Sequence, residues 1–254
     1  RPFIENLIDR AKSANCSALV ITLDLQILGQ RHKDIKNQMT APPKLTIKNM
    51  LNMATKPHWC LGMLQTKRHG FSNIIGHATG VENLTSLSDW SAKTLMRTLN
   101  WDDLDWIMKR WGGKVILKGI QDVEDAKMAV KTGADAIIVS NHGGRQLDGA
   151  LSSIRSLPSI IDAVGDQIEV WMDGGIRSGQ DVAKAVSLGA KGVMIGRPFI
   201  YGLGAMGQKG VSKALDIIHK ELDTTMALCG ERDITNMTRD NLLIPKDFRG
   251  DWEK

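Results

Sequence analysis

One helix-to-strand junction occurs three times in this chain, and it narrows the folds the chain can adopt. Ser13-Ala14-Asn15-Cys16-Ser17-Ala18-Leu19-Val20-Ile21 is the first copy. Lys131-Thr132-Gly133-Ala134-Asp135-Ala136-Ile137-Ile138-Val139 and Ser187-Leu188-Gly189-Ala190-Lys191-Gly192-Val193-Met194-Ile195 are the others. In each, Asn or Gly closes an amphipathic helix, because these residues tolerate the left-handed cap. Small residues then lead into a short, wholly apolar run. Such a run predicts a strand buried on both faces, as in parallel sheets. Repetition of helix, tight loop and buried strand is the signature of a β/α fold.

Extended to the whole chain, the same pattern predicts strands near 18–23, 115–118, 136–140, 168–172 and 192–196. Helices are expected near 3–14, 102–111, 122–132, 154–164, 179–188 and 210–229. Asn100 is a candidate cap for the helix at 102, and Asp102, Asp103 and Asp105 suit its positive end. Residues 24–100 form a long connection with one short helix near 45–54, and a loop of that length is usually functional or inserted. A length of 254 residues is typical of a complete barrel, at about 250 residues. Five βα units, however, cannot close one. The expected fold is therefore a TIM (β/α)8 barrel represented by about five C-terminal βα units. The whole chain, 1–254, is read as one domain with an inserted loop at 24–100.

Composition excludes several classes. Apolar residues make up 42% and charged residues 24% of the chain, as in ordinary globular proteins. No apolar run approaches the roughly 18 residues of a membrane span. The cysteines, Cys16, Cys60 and Cys229, are scattered and odd in number. That argues against a disulfide scaffold or a zinc site and for a reducing compartment. The net charge of +5 is dispersed, which suits a small acidic substrate or an anionic surface better than nucleic acid. The chain opens Arg1-Pro2-Phe3 and runs straight into a helical pattern, as a piece of a longer protein would.

The chemistry-bearing residues gather at strand ends. Ser140-Asn141-His142-Gly143-Gly144-Arg145-Gln146-Leu147-Asp148 follows a buried strand, where barrel enzymes place catalytic groups. His142 can act as a base near neutral pH. The two glycines let backbone approach a flat ligand, and Arg145 offers a planar fork for a carboxylate. A lone histidine would more often be a satisfied structural side chain; the surrounding cluster sets this one apart. Asp173-Gly174-Gly175-Ile176-Arg177 and Gly196-Arg197-Pro198 follow the last two strands, where β/α barrels often hold a phosphate. Lys118, ending Val115-Ile116-Leu117, could stabilise negative charge on a reduced cofactor, or could be a snorkelling surface lysine. Near the first strand end, Thr22 supplies a hydroxyl, Asp24 a carboxylate and Arg31 a second cation.

Together these residues resemble the FMN-dependent α-hydroxy-acid dehydrogenase and oxidase family. The stretch from Ser140 to Asp148 looks like that family's active-site signature, and the resemblance runs from Arg1 to about Pro245. Details around Gln30-Arg31-His32-Lys33-Asp34, Lys109-Arg110-Trp111-Gly112-Gly113 and Val170-Trp171-Met172-Asp173 are most similar to the bacterial L-lactate-oxidising branch. The resemblance implies FMN as cofactor and oxidation of L-lactate or a close L-2-hydroxy acid to the 2-oxo acid. Its alternatives are a glycolate- or mandelate-type oxidase, or a truncated, impaired remnant. It implies His142 as the base supported by Asp24, with Arg31 and Arg145 on the substrate carboxylate. Lys118 would lie by the flavin N1 and O2, and Thr22 and Ser140 on the ring or ribityl chain. Asp173, Gly174, Gly175, Arg177, Gly196 and Arg197 would hold the ribityl phosphate end; no metal is implied.

Two family features are missing. The family's N-terminal strands precede the matching part, and its two substrate-side tyrosines have no counterpart, since the single Tyr201 matches neither. Gln26 stands where many relatives have Pro. The chain alone is therefore expected to bind FMN weakly and to turn over slowly. Residues 44–68 mix Leu45, Ile47, Met50, Leu51, Met53, Trp59, Leu61, Met63 and Leu64 with Lys44, Lys48, Lys56, Lys67 and Arg68. This reads as an interfacial segment or as a loop packed on protein. The resemblance implies electron transfer to quinone or cytochrome, and peripheral attachment at the inner face of a bacterial plasma membrane or a cytoplasmic location. It also implies a homo-oligomer when complete.

Overall fold

A computed structural model describes residues 1–27, 29–37, 46–66, 70–78, 80–82, 86, 90 and 99–248. The chain divides into two compact units, residues 1–16 with 29–99 and residues 17–28 with 100–254.

The first unit holds α1 (Pro2–Ser13), α2 (His32–Lys36), α3 (Ile47–Ala54) and α4 (Pro57–Gln65). Pro2 and Pro57 open their helices, where a missing N–H goes unmissed. Thr46 caps α3 by accepting from the Asn49 N–H at 3.2 Å. A small core forms around Ala78 and Val81 with Phe3, Ile74, Ile75 and Trp90. Phe3 meets Trp90 edge-on with ring centroids 5.0 Å apart. The short helix expected near 45–54 is α3. Helices α2 and α4 are additional, so the stretch 24–100 carries more regular structure than its sequence pattern indicated. Lys44, Leu45, Lys67 and Arg68 lie outside the described residues.

The second unit contains β1 (Ala18–Thr22), β2 (Lys114–Ile120), β3 (Ala136–Val139), β4 (Glu169–Asp173) and β5 (Gly192–Met194). All neighbours pair in parallel, and their spatial order is their order in sequence. A parallel sheet wound in one direction, with no reversal of strand order, is the winding of a β/α barrel rather than of a doubly wound sheet. The helices of this unit are α5 (Asp102–Trp111), α6 (Val123–Thr132), α7 (Ser153–Val164), α8 (Gly179–Ser187), α9 (Arg197–Met206) and α10 (Gln208–Leu228).

The junctions that began the sequence reading have the left-handed backbone they require. Asn15 has φ +54°, Gly133 +80° and Gly189 +109°. The capping of α5 is reciprocal: the Asn100 side chain accepts from the N–H groups of Asp102 (2.9 Å) and Asp103 (3.2 Å), and the Asp103 carboxylate accepts from the Asn100 N–H (3.1 Å). Asp122 caps α6 and a Ser178/Asp181 capping box opens α8.

Burial on both faces holds only at the centre of the sheet. Strand β3 is buried throughout, whereas Val20 of β1 is 45% exposed and Met194 of β5 37%. These two strands are the sheet's edges, and an edge lacks the neighbour that would cover it. The last strand is also shorter than its pattern, ending at Met194, and Arg197 starts a helix instead of a loop. Gly202 and Gly210 let α9 lie against α10, since a Cβ on either would strike the other's backbone.

Ile137 is fully buried in β3. Ile137→Ala should cost about 2–5 kcal/mol by chemical denaturation, and Val20→Ala at the edge well under half as much. Equal losses would contradict this placement of the core.

Candidate active site

The C-terminal ends of β1 to β4 bring one polar cluster together. Lys118, near the end of β2, holds the Asp173 carboxylate at the end of β4 at 2.6 Å, and both side chains are largely buried. The Ser140 hydroxyl, just past β3, accepts from Lys118 Nζ at 3.0 Å and donates to Asp173 Oδ2 at 3.0 Å. Ser140 Oγ also accepts from the His142 N–H at 3.1 Å. Thr22, ending β1, pairs in register with Lys118, and the Leu23 N–H donates to the Lys118 carbonyl at 2.8 Å.

His142 sits in a single 3-10 turn with φ +54°, a conformation that costs most residues energy and that occurs preferentially at functional sites. The hydrogen bonds to its backbone hold it there: its N–H donates to Ser140 and its carbonyl accepts from the Arg145 N–H at 3.3 Å. Its Nδ1 lies 3.3 Å from Asp24 Oδ1. A carboxylate partner places the ring proton on Nδ1 and leaves Nε2 free to accept one. The other Asp24 oxygen is buried without a hydrogen-bond partner among the described residues.

Asp24 can occupy this place because of Gly119. The register of β2 against β3 shifts between Lys118 and Ile120, and Gly119 takes φ +102° there. A Cβ at 119 would stand 2.7 Å from Asp24 Cγ. One bulge therefore accommodates a backbone conformation that excludes most side chains and makes room for the carboxylate.

Beside this cluster lies a cleft of about 910 Å³ lined by His142, Gly143, Arg145, Asp173, Gly174, Gly175, Ile176, Arg177, Met194, Gly196, Arg197, Pro198, Ile200 and Tyr201. Gly174 and Gly175 have φ +99° and +83°. A Cβ at Gly175 or Gly196 would meet nothing within 4 Å, so both backbones are open to a ligand. Arg177 and Arg197 are exposed cations on the same wall. Arg197 also donates to the Gly143 carbonyl at 3.1 Å, joining the β5 turn to the His142 turn. Open glycine backbone, two guanidinium groups and a cleft of this size fit a phosphate-bearing cofactor of FMN's dimensions.

The structure thus joins Asp24, Lys118, Ser140, His142 and Asp173 by hydrogen bonds and ion pairs. It sets Arg145, Gly174, Gly175, Arg177, Gly196 and Arg197 around one cleft with His142, and Thr22 beside Lys118. Arg31 belongs to the first unit, at the N-terminus of α2. Among the positions that sequence reasoning did not assign are Ile200 and Tyr201 on the cleft wall, which α9 places there, and, last, Gly119. The lone glycine three residues before the Asp122 cap was the available signal for the last.

A family model described as FMN-dependent dehydrogenase matches residues 1–244. The chain belongs to the FMN-dependent dehydrogenase family. It is 44% identical over 244 residues to an L-lactate dehydrogenase of Azorhizobium caulinodans, covering 96% of this chain and 64% of that protein. A Caulobacter L-lactate dehydrogenase is also 44% identical, with 94% of this chain and 63% of the relative covered. The chain therefore spans somewhat under two thirds of these relatives' length. Among solved structures, the monotopic membrane protein (S)-mandelate dehydrogenase superposes with a TM-score of 0.87 at 32% identity, over 94% of this chain and 63% of the other. A mandelate oxidase gives 0.69 at 34% identity over 92% and 58%. The family's cofactor is FMN, and the barrel fold of these flavoenzymes is the one read from the strand order.

Lys118→Met should strand the Asp173 carboxylate and destabilise the chain by about 3–5 kcal/mol. The Lys118→Met/Asp173→Asn double variant should recover part of that loss. Strictly additive losses in urea melts would show that the two charges are not coupled.

Proposed function

We propose that this chain carries the FMN-binding and proton-abstracting part of an enzyme oxidising L-lactate, or a close L-2-hydroxy acid, to the 2-oxo acid. Residues 1–254 act in it as one FMN-binding domain. The observation that carries the reading is His142, paired through Nδ1 with Asp24 and lining the same cleft as Arg145 and the glycine turns. Nε2 of His142 takes the substrate hydroxyl proton, and the Asp24 carboxylate steadies the imidazolium that results. The chemistry that bound FMN supplies is acceptance of two electrons from the substrate's C2, as a hydride or its equivalent. Arg145 clamps the substrate carboxylate, a task suited to the planar guanidinium fork. Lys118, held in place by Asp173 and Ser140, would supply positive charge beside the cofactor when that gains electrons. Thr22 would contact the ring or ribityl part, and Ser140, whose hydroxyl is committed within the chain, would serve that part by holding Lys118 and Asp173 in place. Asp173, Gly174, Gly175, Gly196, Arg177 and Arg197 receive the ribityl phosphate end.

The 32% identity to an (S)-mandelate dehydrogenase supports a second reading in which the hydroxy acid carries an aryl group. Electrons would leave to a quinone or cytochrome from a homo-oligomer attached peripherally to the inner face of a bacterial membrane. Support for attachment comes from α3 and α4, where Ile47, Leu51 and Leu64 are 79%, 66% and 80% exposed beside Lys48 and Lys56. Among the described residues no helix is long and apolar enough to cross a membrane.

On the FMN-loaded chain, His142→Asn should slow anaerobic bleaching of the flavin by L-lactate by about 10²–10⁴-fold while flavin content is kept. A rate within twofold of the unsubstituted chain would remove His142 as the base. Arg145→Lys should raise the lactate concentration needed for half-maximal rate. The chain should sediment with anionic vesicles at low salt, and Leu51→Asp with Leu64→Asp should release it; equal sedimentation of both would end the attachment proposal.

A further inference from the structure

We propose that Gln146 is a positioning residue that sets the geometry of the His142–Asp24 pair. Its side-chain amide donates from Nε2 to two carbonyls, Asp24 at 2.9 Å and Ile27 at 2.6 Å. Two carbonyl oxygens aimed at one atom can be met only by a donor, so the amide's orientation is fixed. These carbonyls bracket the turn that leaves β1. Gln146 itself lies four residues after His142, on the segment that leaves β3. One amide therefore ties the backbone carrying the acid to the backbone carrying the base, across 122 residues of sequence.

Asp24 is constrained from two sides. Its side chain backs onto the β2 bulge, where a Cβ at Gly119 would be 2.7 Å from Cγ. Its main chain is held by Gln146. Between these contacts, Oδ1 points at His142 Nδ1. Without the amide, the 24–27 turn keeps its packing against Gly119 but loses two main-chain hydrogen bonds to the segment that follows His142. The carboxylate then drifts from the ring, and an Nδ1 proton without an acceptor no longer fixes which nitrogen is basic. Mispositioning of about 1 Å can cost a reaction as much as 10²-fold. The inference rests on His142 being the base and adds the residue that aims its partner.

The test uses the full chain with ¹⁵N-labelled histidine. The unsubstituted chain should show a downfield, hydrogen-bonded His142 Nδ1–H resonance, identified by its loss in His142→Asn. Gln146→Glu keeps the size but replaces the donor with an acceptor facing two carbonyls, and should abolish that resonance. Gln146→Lys restores a donor and should return it. On the FMN-loaded chain, Gln146→Glu should slow lactate-driven bleaching by at least about tenfold, with half-saturation changed less than twofold. Gln146→Met, which lacks the added charge, replaces Gln146→Glu if melting shows the latter unfolded. Persistence of the resonance in the donorless variant, or its absence from the unsubstituted chain, would overturn the proposal. So would a Gln146→Lys chain that melts normally yet lacks the resonance. If the resonance follows the expected pattern while no hydroxy acid reduces the flavin, Gln146's role stands and the functional reading fails.

Discussion

The Ser140 hydroxyl is the contact on which the rest of the site depends. It is buried to 1% exposure and uses its full hydrogen-bonding capacity, one donation and two acceptances. The donation goes to Asp173 on β4; the acceptances come from Lys118 on β2 and from the main chain of His142 after β3. A hydroxyl at the junction of three strand ends fixes their relative heights, because each contact fails if any strand slides along its neighbour. It also gives each member of a largely buried ion pair a further hydrogen bond, which helps such a pair to be tolerated. The sheet supplies the rest: parallel strands wound in sequence order deliver every one of these groups to the same end.

Much of this was legible in the chain because it is written in local pattern. Asn15, Gly133 and Gly189 mark helix ends through backbone conformation alone, and a wholly apolar tetrapeptide such as Ala136–Val139 has few places to go but the centre of a sheet. The cluster from Ser140 to Arg145 was visible for the same reason: its residues are adjacent. Positions whose meaning depends on distant partners were harder to see. Gly119 looks like any strand glycine until Asp24 is placed against it, and Gln146 looks like a polar surface residue until the 24–27 turn arrives. Helix α9 was hidden by Arg197-Pro198, which reads as a strand-end loop although proline is at ease in a helix's first turn.

Charge organises the cleft as much as shape does. Arg145, Arg177 and Arg197 line it, and the cation beside it, Lys118, already has a carboxylate companion. Anions entering this space meet guanidinium groups, whereas the Lys118 ammonium is already paired with Asp173. The contact of Arg197 with the Gly143 carbonyl joins the turn after β5 to the turn that carries the imidazole. Occupancy at one turn and backbone geometry at the other therefore share a hydrogen bond.

The left-handed backbone at position 142 also restricts which amino acids can stand there at all. Glycine, asparagine, aspartate and histidine accept that conformation with modest penalty, while valine, isoleucine and threonine pay heavily through their branched Cβ. The permitted alphabet at this position is thus short even before any chemistry is demanded, and histidine is the member of it with a ring nitrogen. Replacements by branched residues would mix a collapsed turn with a missing imidazole, and only the tolerant ones separate the two.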